Sequence, residues 1–97
     1  MQVRHADKKL ERLEIEQAYS AGFDAKMVRS YRKVMQLIRA AVDERAFYAM
    51  KSLHYEKLKG DRKHQRSMRL NRQFRLVLEL EEVNDKTVVI VSIEDYH

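Results

Sequence analysis

The chain ends in Glu94-Asp95-Tyr96-His97, which sets a carboxylate, a phenol and an imidazole side by side after a largely apolar run from Val88 to Ile93. Imidazole titrates near neutrality and serves as acid or base, and a neighbouring carboxylate can orient it or take the proton itself. Two cations complete the set. Lys59 sits in a tight turn, Leu58-Lys-Gly-Asp-Arg62, and Arg75 in an alternating stretch further on. Arginine presents a planar fork that matches two phosphate oxygens, and its permanent charge makes it a clamp rather than a proton donor. Such a set can hold a phosphate and move protons beside it, provided that the strands in between bring the turn and the chain end onto one sheet face.

The elements that must do this follow from the hydrophobic period. Val3 and its neighbours suit a short first strand. The spacing of Ala6, Leu10, Leu13 and Gln17 or Ala18 predicts a helix from Asp7 to Ala21, with Asp7 as N-cap and Gly22 as stop. Asp24 caps a second helix in which Val28, Tyr31, Val34/Met35, Ile38 and Ala41/Val42 recur every three or four residues; Lys26, Arg29 and Lys33 lie on its solvated side. Asp43 caps a short third helix through Ala46, Phe47 and Met50, closed by Leu53.

After Gly60, where positive φ is expected, the period becomes two. Met68 and Leu70 alternate with Ser67 and Arg69; Phe74, Leu76, Leu78 and Leu80 alternate with Arg75, Val77, Glu79 and Glu81. Opposed residues of an antiparallel pair share a face, so a two-residue loop would set Met68 against Arg75 and bury a charge. An odd loop, Asn71 to Gln73, instead pairs Met68 with Leu76 and Arg69 with Arg75. Asn84-Asp85 then turns the chain into Thr87 to Ile93, whose unbroken apolar run predicts a central strand buried on both faces. The expected fold is α+β, a single domain over residues 1–97, with two to three N-terminal helices packed on a mostly antiparallel, curved sheet of about four strands.

Composition narrows the function. The chain has no cysteine or proline, and its four histidines show no metal-ligand spacing, so neither a metal nor a cofactor is expected. No apolar run approaches a membrane span and the N-terminus lacks the apolar core of a secretory signal, so a soluble cytoplasmic protein without a membrane partner is expected. The formal charge of +5 favours a polyanion. That charge is concentrated: Lys57, Lys59, Arg62, Lys63, Arg66, Arg69, Arg72 and Arg75 are opposed between residues 57 and 75 by Asp61 alone.

Leu58-Lys-Gly-Asp-Arg62, Ser67-Met-Arg-Leu-Asn71, Gln73-Phe-Arg75, the final apolar strand and Glu94-Asp-Tyr-His97 together resemble the HigB branch of the RelE/ParE toxin superfamily. The resemblance implies a RelE/ParE-like fold and a toxin of a type II toxin-antitoxin pair. Such a toxin is a ribosome-dependent endoribonuclease, an mRNA interferase that cuts mRNA in the decoding site and leaves a cyclic phosphate and a 5′-hydroxyl. It implies as partners a helix-turn-helix HigA-like antitoxin and the ribosome with bound mRNA, with operator DNA reached only through the antitoxin. By position it implies Lys59, Arg75, Asp95, Tyr96 and His97 as catalytic residues. One position departs: where some HigB toxins carry a functional histidine three residues before the lysine, this chain has Glu56, and His54 stands two residues away.

Cleavage by 2′-hydroxyl attack needs a proton acceptor, a donor to the departing 5′-oxygen and positive charge around phosphorus. Lys59 and Arg75 suit the last, His97 and Asp95 suit proton transfer, and Tyr96 suits stacking on a base or proton donation. Lys57, Arg62, Lys63, Arg66 and Arg69 are the candidate RNA contacts; Asn71 is a turn residue as well as a candidate contact. Each has a plainer structural counterpart: Arg75 as a surface cation paired with Glu79 or Glu94, and Asp95 to His97 as a loosely held tail. Two other functions compete, a ParE-like gyrase poison and a non-catalytic basic RNA-binding or regulatory domain.

Overall fold

The computed structural model describes residues 1–81, 83 and 86–96. Strand β1 (Gln2–His5) is followed by helices α1 (Lys8–Ile15), α2 (Ala25–Ala40) and α3 (Arg45–Ala49), then by β2 (Glu56–Lys57), β3 (Gln65–Arg69), β4 (Phe74–Leu80) and β5 (Thr87–Asp95). No helix among the described residues is long and apolar enough to cross a membrane.

The Asp7 side chain accepts the Lys9 N–H at 2.8 Å and starts α1, as expected of an N-cap. The helix stops at Ile15, well short of Ala21, because its apolar stripe ends at Leu13 and Gln17 and Ala18 are exposed. A cation from the next helix takes over. Arg32 donates through Nε to the Leu13 carbonyl at 3.0 Å and through Nη2 to those of Glu16, Gln17 and Tyr19 at 2.8, 3.2 and 3.3 Å. Arg32 thereby gathers carbonyls at and just beyond the helix C-terminus, where main-chain acceptors run out of helical donors. The chain then reverses through Ala21 (φ 51°) and Gly22 (φ 84°), so Gly22 shapes the connecting loop rather than ending the helix.

Asp24 accepts the Met27 N–H at 2.8 Å and opens α2. Val28, Tyr31, Val34, Met35 and Ile38 are buried at the predicted spacing, whereas Ala41 and Val42 lie past its end and Val42 is exposed. Asp43 accepts the Arg45 N–H at 3.0 Å ahead of α3, whose Phe47 enters the core together with Leu53.

The sheet has five strands in the order β1-β5-β4-β3-β2, with β1 parallel to β5 and the other neighbours antiparallel. The fifth strand is the two-residue β2, which the sequence reading left inside the basic turn. The β3–β4 register matches the odd loop: Met68 faces Leu76 and Arg69 faces Arg75. Asn84 and Asp85, expected to turn the chain into β5, lie outside the described residues.

Opposite β4, the register of β5 slips between Val77 and Leu78. Val77 pairs with Ser92 but Leu78 with Ile90, leaving Val91 as an extra residue. On the core side Val88 and Ile90 are fully buried with Leu76, Leu78 and Met68 against the helices. On the other side Val89, Val91 and Ser92 are only half-buried, so β5 is not covered equally on both faces. Helices pack on one face and leave the second open.

One charged cluster joins β1, α1 and α2. Arg39 donates to both Glu14 oxygens at 2.6 and 2.9 Å. His5 Nε2 lies 3.1 Å from the same carboxylate. Burial alone would raise the Glu14 carboxyl; the Arg39 contact, helped by His5, outweighs it and holds the group below its ordinary value of 4.5. The unfolded chain therefore takes up this proton at a higher pH than the folded one. Glu14's contribution is complete above about pH 4.5 and is lost as pH falls through the lower folded value. Urea unfolding midpoints measured against pH should accordingly show a shallower acid limb in Glu14→Gln than in the parent chain.

A candidate nucleic-acid interface on the open face of the sheet

Strand pairing sets the face. Arg69 opposes Arg75, and Arg75 opposes Glu94 in the next strand, so three charged side chains form a row across β3, β4 and β5. Ser67, Val77 and Ser92 form the adjacent row on that face, and Val77 and Ser67 are buried there outside the main core cluster. Glu56 opposes Ser67 and so belongs to the same face; its exposed side chain has no hydrogen-bond or ion-pair partner among the described residues.

The basic turn closes over this row. Gly60 at φ 66° adopts the left-handed geometry expected of it and begins a single 3-10 turn, Gly60–Arg62. Arg62 then reaches Glu94, donating through Nη1 and Nη2 to Oε1 and Oε2 at 2.9 and 2.6 Å, and donates from Nε to Gln65 Oε1 at 2.9 Å. Ser92 Oγ donates to Glu94 Oε2 at 2.9 Å, and Gln65 passes the chain of bonds to Glu79 at 3.0 Å. Hydrogen bonding from Arg62 holds the Glu94 carboxyl below the usual carboxylate range, and the same bond raises the Arg62 guanidinium.

Arg75 behaves differently. Its Nη2 stops 3.9 Å from Glu94 Oε1, beyond hydrogen-bond reach, and its Nε is buried with no hydrogen-bond partner among the described residues. A buried donor left unmade costs about 1–3 kcal/mol, so this guanidinium is held in place without being satisfied. Its charged carbon lies 5.6 Å from the centre of the Tyr96 ring, a distance at which the ring face attracts the cation.

The end of β5 is pinned by Gln73. That residue donates through Nε2 to Asp95 Oδ2 at 3.1 Å, and its carbonyl accepts the Tyr96 N–H at 2.8 Å. Asp95 pairs with Phe74 and thus points to the helix side of the strand end, while Tyr96 returns to the open face beside Arg75. His97 lies outside the described residues.

The other candidate residues divide. Lys59 and Lys63 are exposed at the two ends of the Gly60–Arg62 turn, next to the Arg62–Glu94 pair. Lys57 and Arg66 oppose one another and share the helix-side parity of Leu78. Arg66 is half-buried there: its Nε donates to Glu44 Oε2 at 3.1 Å, and the same oxygen accepts the Tyr55 hydroxyl at 2.6 Å. The structure therefore gathers Arg62, Arg69, Arg75 and Tyr96, with Lys59 at the rim, and sets Lys57 and Arg66 apart. His54, left-handed at φ 46°, is exposed. Glu94 was missed by sequence reasoning as a site residue; the polar alternation of Ser92 and Glu94 inside an apolar strand was its available signal.

Hollows follow the chemistry only in part. One of about 330 Å³ lies between the start of α2 and the hairpin loop, lined by Asp24, Lys26, Ser30, Asn71, Arg72 and Gln73, and so abuts the residue that pins Asp95. A larger one of about 670 Å³, between the end of α2 and α3, is mainly apolar and remote from the arginine row.

The sequence matches no family model and no curated protein. Solved structures do match. The YoeB-YefM complex from Staphylococcus aureus contains a chain 21% identical, with TM-score 0.62, over 100% of this chain and 97% of that one. The YoeB/ParE toxin from Agrobacterium tumefaciens is 17% identical, with TM-score 0.61, over the whole of both chains. The toxin-antitoxin complex RelBE2 from Mycobacterium tuberculosis contains a chain 15% identical, with TM-score 0.55, over 97% of this chain and 95% of that one. The chain thus has the α+β fold of the RelE- and YoeB-like toxin structures. At such identities the fold is what is shared.

Asn71 holds the hairpin that brings Arg69 and Arg75 together. Its Oδ1 accepts the N–H groups of Gln73 and Phe74 at 2.8 and 2.7 Å. Asn71→Ala should destabilise the chain by roughly 1–2 kcal/mol in urea unfolding, the net worth of such bonds, whereas Asn71→Asp, which keeps the acceptor, should lose much less.

Proposed function

We propose that this chain is the toxin of a type II toxin-antitoxin pair and a ribosome-dependent endoribonuclease that cleaves mRNA. The observation that carries this reading is the incompletely satisfied guanidinium of Arg75, held on the open face beside Tyr96 and in register with Arg69. The fold likeness to toxin structures supports the toxin role. The HigB-type segments from Leu58 to the chain end support the HigB branch within that fold, a helix-turn-helix HigA-like antitoxin, the ribosome as the site of action, and a cytoplasmic location.

In the proposed reaction the 2′-oxygen of a ribose attacks the adjacent phosphorus and gives up its proton to a base. The bond from phosphorus to the 5′-oxygen breaks, and that oxygen takes a proton from an acid. A 2′,3′-cyclic phosphate and a 5′-hydroxyl result. Arg75 and Lys59 offset the charge that builds on the phosphoryl oxygens, the role in which a fixed cation contributes most. His97 transfers protons and Tyr96 stacks on a base or donates a proton; Asp95, expected from the sequence to share the proton transfer, points to the helix side of the strand end and has the weaker support. Glu56, an unpaired carboxylate on the same face, is a further candidate base. Of the proposed RNA contacts, Arg62, Lys63 and Arg69 have the more direct support, since they border the arginine row; Asn71 acts first through the turn it holds.

Incubation of a defined mRNA with the purified chain, with and without programmed ribosomes, tests this by mapping new 5′ ends. Cuts should appear only with ribosomes and at codon positions. Arg75→Ala should slow them by about 10²–10³-fold, as removal of one transition-state donor does elsewhere. Uncut mRNA on actively translating ribosomes would refute the nuclease reading, and inhibition of gyrase supercoiling would then favour the ParE-like alternative.

A further inference from the structure

We propose that Glu94 is a place-holder for the RNA phosphate: its carboxylate occupies the Arg62 fork beside Arg75 until a phosphodiester displaces it. This inference rests on the RNA-cleaving reading of the same face. Both Glu94 oxygens accept from Arg62, at 2.9 and 2.6 Å, in the end-on geometry that a guanidinium offers equally to the two unesterified oxygens of a phosphodiester. Arg75 approaches the same carboxylate but stops at 3.9 Å, so a flat two-oxygen group already spent on Arg62 and Ser92 leaves the second cation unfilled. A tetrahedral phosphate presents oxygens in more directions and can serve both.

The exchange does not require the core to open. Arg62 and Glu94 side chains are 39% and 29% exposed, and both stand on the sheet face away from the helices. Without RNA, the carboxylate offsets the mutual repulsion of Arg62 and Arg75 and keeps the turn closed over β5. With RNA, its negative charge becomes a competitor. The opposing possibility is that Glu94 is a permanent strut whose hold on Arg62 is needed while RNA is bound, and the two differ in sign.

The test uses the full chain and a single-stranded RNA oligonucleotide with 2′-O-methyl riboses, which binds but cannot be cut, titrated by fluorescence anisotropy at several salt concentrations. Glu94→Gln, which keeps the shape and removes the charge, should tighten binding by roughly threefold to fivefold at low salt, the upper range for an exposed ion pair. Ser92→Ala, which loosens the same carboxylate without changing charge, should give a smaller gain. In an Arg62→Ala background the Glu94→Gln gain should shrink, since the fork it releases is absent. Weaker or unchanged binding by both Glu94→Gln and Ser92→Ala overturns the place-holder while leaving the RNA reading intact. If neither the parent chain nor Glu94→Gln binds the oligonucleotide at any salt, the place-holder fails, and the nuclease reading is decided separately by the cleavage assay on programmed ribosomes.

Discussion

In an antiparallel sheet the face of each side chain follows from its partner across the ladder, and one extra residue reverses that assignment for everything beyond it. Val91 is such a residue. Were β5 to continue without it from the Leu78–Ile90 pair, Ser92 would oppose Leu76 and turn into the core, and Ile93 would stand opposite Arg75. With the slip, Ile93 opposes Leu76 and Glu94 opposes Arg75. The bulge thus keeps Ile93, like Val88 and Ile90, toward the helices and delivers Glu94 and Tyr96 to the open face. Every contact of the arginine row with the chain end depends on it.

A second constraint comes from main-chain groups satisfied at a distance. Arg32 collects the carbonyls at the end of α1, Asn71 collects the amides of the β3–β4 loop, and Gln73 takes the Tyr96 amide while holding Asp95. Each replaces a helical or ladder bond that local geometry cannot supply. A terminal segment bonded in this way is positioned through Tyr96 rather than frayed, and this lets chemical groups so near the chain end belong to a defined site.

Charge is sorted by the same parity. The basic stretch from Lys57 to Arg75 looks continuous in sequence, yet alternate strand residues go to opposite faces. Arg66 is paired with Glu44 on the helix side, Arg62 is engaged by Glu94, and Arg75 is left with an unsatisfied donor among the described residues. Local density of one charge sign therefore overstates the cation available at any one surface. The open face carries a mixed row in which one carboxylate moderates several guanidiniums.

The sequence by itself determined the helix starts at Asp7 and Asp24, the buried stripe of α2, the odd hairpin loop and the meeting of Arg69 with Arg75. These depend on period and local capping, which are properties of neighbouring residues. The α+β class was legible for the same reason, its RelE/ParE-like form was implied by the resemblance of the segments from Leu58 onward, and the solved structures share that fold. Tertiary structure alone decided where α1 stops, since Arg32 comes from another helix; the two-residue β2, too short for any period to register; and the bulge at Val91, which closes the stretch from Val88 whose residues are all apolar and so carry no phase. It also decided that Glu94 sits at the centre of the site. A carboxylate acquires that role through Arg62 and Arg75, which lie on other elements of the fold, and the alternation of Ser92 and Glu94 marks its face without naming those partners.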